Sequence, residues 1–160
     1  MFALLFRFHS YADHSFIGVW IRDHTFALAI IEAIHLIGIT LMLGTICTVN
    51  FRLFGFALKS RPVHEVVEGF GRWTTVGYIW VFSTGILLFI AEALKLHDNA
   101  AWPAKIVFLF LAILVQSTMY RSVIKPGKAE ASPWMAKLTA ALSMLFWFGT
   151  GFAGRAIGFF

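Results

Sequence analysis

Apolar positions along the chain gather into four long blocks, at residues 26–49, 73–95, 104–123 and 134–158, separated by short polar joins. A helix of about 20 residues, rising about 1.5 Å per residue, crosses the roughly 30 Å hydrocarbon core of a bilayer, so the pattern predicts four membrane spans. The joins carry signals of their own. Val63, Val66, Val67 and Phe70 recur at helical spacing behind Pro62, which suits a first helical turn. They predict a short interfacial helix that ends near Gly69 or Gly71, with His64, Glu65 and Glu68 on its wet face. Residues 1–25 mix apolar side chains with Arg7, His9, Asp13, His14, Arg22 and Asp23, and they lack the unbroken apolar core and cleavage site of a secretory signal. That mixture predicts a segment lying in the interface, with Phe16, Trp20 and Ile21 toward lipid and the histidines in water. The polar join at 96–103 is short enough to make the second and third spans antiparallel neighbours, with Trp102 as an interfacial anchor. Ser132-Pro133 supplies the start of the fourth.

Composition narrows the class. The chain is 59% hydrophobic and 13% charged, about half the charge of a soluble domain. The fold expected is all-α, an integral membrane four-helix bundle with short interfacial helices at the N-terminus and in the first connection, forming one domain over residues 1–160. The net charge of +5 does not point to nucleic acid, because the basic residues flank spans. Arg52, Lys59, Arg61, Arg72, Arg121, Lys125, Lys128 and Lys137 lie on the side of the first and third connections, whereas Arg7, Arg22, Lys95, Lys105 and Arg155 lie on the other. By the positive-inside rule the first side is cytoplasmic and both termini face outward. The lipid bilayer is the expected partner, with other membrane subunits or a second copy of the chain as candidates. Cys47 is the single cysteine, which excludes an intrachain disulfide, a CxxC redox pair and a CxxCH haem attachment, and it reads as a packed core residue.

Candidate chemistry lies inside the spans. Glu32 and His35, three residues apart, share a helix face within the first. Threading four antiparallel spans gathers Glu32, His35, Glu92, His97, Lys105 and Arg155 in the outer half. Ionisable groups there mark a polar intramembrane site by default. In one reading these groups only hold the bundle together: Arg155 pairs with Glu92 or Glu32, and His35 donates to a carbonyl. In another, His35 binds a cofactor or metal, with Glu32 fixing its tautomer: haem b, for which Met42, Met144 or the shallower His97 are the second ligands on offer, or copper with Met42 or Met144. Proton or quinone handling by Glu32, His35 and Glu92 is a third. No Gly-rich phosphate loop, HExxH or GxSxG occurs, so no catalytic residue is assigned and no catalytic activity of the chain on its own is expected. On the fourth span, Gly151, Gly154 and Gly158 allow close approach of a neighbouring backbone.

EAIHLIG at 32–38, NFRLFG at 50–55, TGILLF at 84–89, Pro103-Ala104-Lys105 and the ending ALSMLFWFGTGFAGRAIGFF resemble a bacterial four-helix membrane family of unknown function, over roughly residues 30–158. The resemblance implies a fold and an inner-membrane location, with periplasmic termini, rather than a reaction. The chain also looks distantly like the membrane part of copper-resistance D-type proteins. Members of the first family tend to carry an aspartate where this chain has Asn50, and many a histidine where it has Tyr120. If that histidine is a haem or metal ligand, this chain lacks it.

Overall fold

A computed structural model describes residues 2–24 and 26–159, with side chains from Phe6 onward; Met1, Thr25 and Phe160 lie outside the described residues. In chain order the helices are α1 (Phe2–Asp13), α2 (Phe16–Asp23), α3 (Ala27–Phe54), α4 (Val63–Ala91), α5 (Ala93–His97), α6 (Ala101–Val115), a π-helical turn (Gln116–Tyr120), α7 (Arg121–Val123), α8 (Lys128–Ala131), α9 (Pro133–Ala156) and a closing 3₁₀ turn (Ile157–Phe159). No strand occurs among the described residues.

Among the described residues three helical runs are long and apolar enough to cross a membrane: Ala27–Phe54, Val63–Ala91 and Ala101–Val123. The expected four therefore stand at three by length and composition. The fourth block does form a 24-residue helix, α9, but Lys137 and Arg155 near its ends, with its glycines and hydroxyl residues, lower its apolar content.

The expected interfacial helix before the second span is instead the first part of α4. The 29-residue helix runs through Gly69 and Gly71 without a break, since a glycine in a helix weakens it without ending it. Val63 and Val66, its first apolar positions, lie in an apolar cluster with Val49, Leu53, Tyr120, Val123, Ala136 and Ala140. A second cluster, nearer the other end of the bundle, holds Met42, Ile46, Ala112 and Trp147.

The close pairs are α3 with α4 and α6 with α9, joined by α3 against α9. The consecutive α4 and α6, expected to be neighbours, are not a closely packed pair. Glycine decides this for α3 and α4. At Gly77 a Cβ would lie 2.8 Å from the Met42 backbone nitrogen, so the two backbones touch there. The short join from 55 to 62 keeps α4 beside its predecessor, which is its main partner. Gly149 plays a related part for α6 and α9, leaving room for the Phe108 ring.

Helices α1 and α2 pack on α4 and α5, near the end of the bundle where α3 begins. Asp13 and Arg22 fasten them. Arg22 bonds Asp13 at 3.2 Å and donates at 2.7 Å to the carbonyls of Ala91 and Asp13, while Asp13 Oδ1 accepts from the Leu94 N–H at 3.3 Å. The break between α4 and α5 frees these backbone groups, and this ion pair satisfies them. Phe16 and Trp20 are exposed as expected, but Ile21 is buried at 2% exposure. At the opposite end, Glu130 accepts from the first N–H of α4, at Val63, and approaches Arg52 at 3.9 Å.

Candidate functional site

His35 lies in the third turn of α3, half-buried against α4. Its Nδ1 is 2.7 Å from Thr84 Oγ1, and that hydroxyl donates in turn to the Trp80 carbonyl at 2.6 Å. A hydroxyl has one proton to give. With it committed to the carbonyl, Thr84 accepts from His35, which places the imidazole proton on Nδ1 and leaves the lone pair on Nε2. Gly85 lies beside the ring, where a Cβ would come into ordinary contact with His35 Cε1 at 3.4 Å.

Lys105 of α6 lies close enough to His35 for their charges to interact. Its stem lies beside Gly154 of α9, and its ammonium is 5.7 Å from the centre of the Trp102 ring. No carboxylate pairs with it among the described residues. The end of the bundle where α3 begins thus holds an imidazole lone pair on α3 and, within electrostatic range of it, an ammonium donor on α6. The sequence puts Lys105 in the same half of the bundle as His35 without a role, and nothing local in the chain signals that it lies beside Gly154.

The remaining expected site residues are dispersed. Glu32 is exposed on the outside of α3 and does not orient His35; Thr84 does. Glu92 takes Lys95 at 3.0 Å, and Arg155 stacks its guanidinium 4.9 Å from the Phe159 ring, so the expected Glu92–Arg155 pair is not formed. Glu92 thus finds a cheaper, half-exposed partner than a buried bridge would be. Met42 is buried against Gly77, seven residues along α3 from His35 and so about 10 Å farther in. Met144 adjoins Ser143, which bonds Asn50, fifteen residues from His35, or about 22 Å along the helix. One ion or haem iron at His35 therefore has neither methionine in reach. No group of three metal-ligating His, Cys, Asp or Glu side chains forms among the described residues.

His97 joins a different cluster. Its ring is 5.1 Å from that of His9, which is buried, not solvated, and which meets Phe89 at 5.4 Å. Phe89 stacks on Trp102 at 5.5 Å, so an aromatic row connects α1 to α6. It closes the end of the bundle where α3 begins, beside Lys105.

A second polar region went unnoticed in the sequence because its residue types are unremarkable in spans. Asn50, Thr139 and Ser143 are all 0% exposed, and Asn50 Nδ2 donates to Ser143 Oγ at 3.1 Å. Asn50 Oδ1, Tyr78 OH, Gln116 Oε1, Thr139 Oγ1 and Trp147 Nε1 are buried with no hydrogen-bond partner among the described residues.

Residues 8–160 match the model of a family described as a family of unknown function, DUF6644. No curated protein and no solved structure matches the chain.

Proposed function

This chain belongs to the family of unknown function DUF6644, and from that premise we propose that it is a four-span inner-membrane protein binding an amphiphilic ligand at His35. The observation that carries the reading is the Trp80–Thr84–His35 hydrogen-bond chain, because it fixes the imidazole with its lone pair on Nε2. A lone pair there accepts from a hydroxyl, and Lys105 donates to an oxygen. A head group with a hydroxyl and a carbonyl or anionic oxygen, such as a quinol or a hydroxylated lipid head, matches both. The apolar α3, α4 and α6 surfaces suit its tail.

Two features support α9 as the fourth span. It packs along both α3 and α6. Lys137 and Arg155 are eighteen residues apart, about 27 Å, which lets each reach a different interface of a roughly 30 Å core. The surplus of Lys and Arg beside the α3–α4 and α7–α9 connections supports a cytoplasmic side there and periplasmic termini.

The test is solvent extraction of the purified chain with mass spectrometry, together with a visible spectrum and elemental analysis of the same sample. The expected result is a co-purified amphiphile of that head-group class, lost in His35→Gln and reduced in Thr84→Val. A Soret band or stoichiometric copper would transfer His35 to a metal-binding role. Wild-type ligand content in both variants would remove the site.

A further inference from the structure

The buried polar residues run along the core from one apolar cluster to the other. At one end are Ile46, Ala112 and Trp147, and at the other Val49, Tyr120 and Ala140. Along this path α9 contributes Thr139 beside Ala140 of the one cluster, Ser143 in the middle and Trp147 of the other cluster, spaced four apart and so aligned on one face. Asn50 of α3 bonds the middle one, and Tyr78 of α4 lies with its ring 5.6 Å from that of Trp147. Gln116 opens the π-helical turn in the third apolar run. Such turns cluster at functional sites, because they re-aim side chains that a regular helix would present elsewhere.

The hydroxyl of Thr139 is unlike the others. Thr40, Thr45, Thr48, Thr74, Thr75, Thr84, Thr118 and Thr150 all donate back to the carbonyl four residues earlier, the usual way to satisfy a hydroxyl within an apolar bundle. Thr139 does not, although it is fully buried. Its hydroxyl has no hydrogen-bond partner among the described residues.

The unpartnered atoms include both signs of hydrogen bonding. Asn50 Oδ1 and Gln116 Oε1 accept, Trp147 Nε1 donates, and the Tyr78 and Thr139 hydroxyls can do either. No carboxylate faces them, so a multivalent cation lacks its counter-charge, and an indole N–H repels any cation. A bare anion would leave the amide oxygens opposed. Water, which donates and accepts at once and is small enough for a packed core, suits all five; at about two to four hydrogen bonds per molecule, and with Thr139 and Trp147 about 12 Å apart along α9, more than one molecule is needed. We infer that this polar path is a binding site for internal water, bridging α3, α4, the π-helical turn and α9 independently of the ligand proposed at His35.

Water-to-indole NMR on the full chain labelled with ¹⁵N-tryptophan tests this. Trp147 is one of six tryptophans, and its resonance is assigned by its disappearance in Trp147→Phe. The expected result is a cross-peak between water and the Trp147 indole proton despite its burial, lost in Asn50→Leu. Thr139→Val, a near-isosteric change, should weaken it should Asn50→Leu fail to fold. Absence of the cross-peak while exposed Trp134 gives one would overturn the inference. A Trp147 shift when sodium replaces potassium would also overturn it, by assigning the path to a monovalent cation.

Discussion

At the scale of single residues, close packing and hydrogen bonding each give a sharp expectation. Gly77 has no room for a methyl group, because a Cβ would press on the Met42 backbone at 2.8 to 2.9 Å. Gly77→Ala should therefore lower stability by about 1–3 kcal/mol, as overpacking in a tight core does. Gly71 has nothing within 4 Å of its Cβ position, so Gly71→Ala should gain roughly 0.5–1 kcal/mol of helix propensity. Melting temperatures of the two variants in one detergent check the pair, and a similar loss in both would refute the close approach. Glu92 and Arg155 offer a second comparison. Since Glu92 holds Lys95 and Arg155 lies over Phe159, the effects of Glu92→Gln and Arg155→Met should add to within about 0.5 kcal/mol. A double variant more stable than the sum predicts would reveal a pairing after all.

At the scale of elements, the clamp between α2 and the α4–α5 break carries the attachment of the N-terminal helices. Arg22→Met removes the donor to the Ala91 and Asp13 carbonyls and leaves Asp13 without its cation. A lost, partly buried set of this kind costs about 1–3 kcal/mol, spent locally rather than across the bundle. Hydrogen exchange should speed up in α1 and α2 and stay unchanged in α3; uniform acceleration would show that these helices fold as one unit with the rest. This level also marks the limit of what the sequence discloses. Long apolar blocks announced α3, α4 and α6, since hydropathy is a local property. The continuity of α4 through Gly69 and Gly71 was hidden, because the same glycines serve as helix ends elsewhere. The Thr84 and Lys105 partners of His35 come from 49 and 70 residues away, and the buried role of Asn50 depends on Ser143, 93 residues on. Nothing in the neighbouring residues encodes those meetings.

At the scale of the whole molecule, orientation can be measured directly. With Cys47 replaced by alanine, cysteines at Ser60 and Ser122, both exposed at the end holding the basic surplus, should resist an impermeant thiol reagent in intact cells and react after permeabilisation. Labelling of both in intact cells would invert the topology. The Asp13–Arg22 clamp has a different consequence, in the order of events during synthesis. Arg22 leaves the ribosome 69 residues before Ala91, its carbonyl partner, and Asp13 precedes Leu94 by 81. At about 5–20 residues per second, the N-terminal helices wait on the order of 3–16 seconds for their dock to exist. Through that interval α1 and α2 have only the membrane surface or the insertion machinery to rest on, so their exposed aromatic residues serve as a temporary foothold before the chain closes over them.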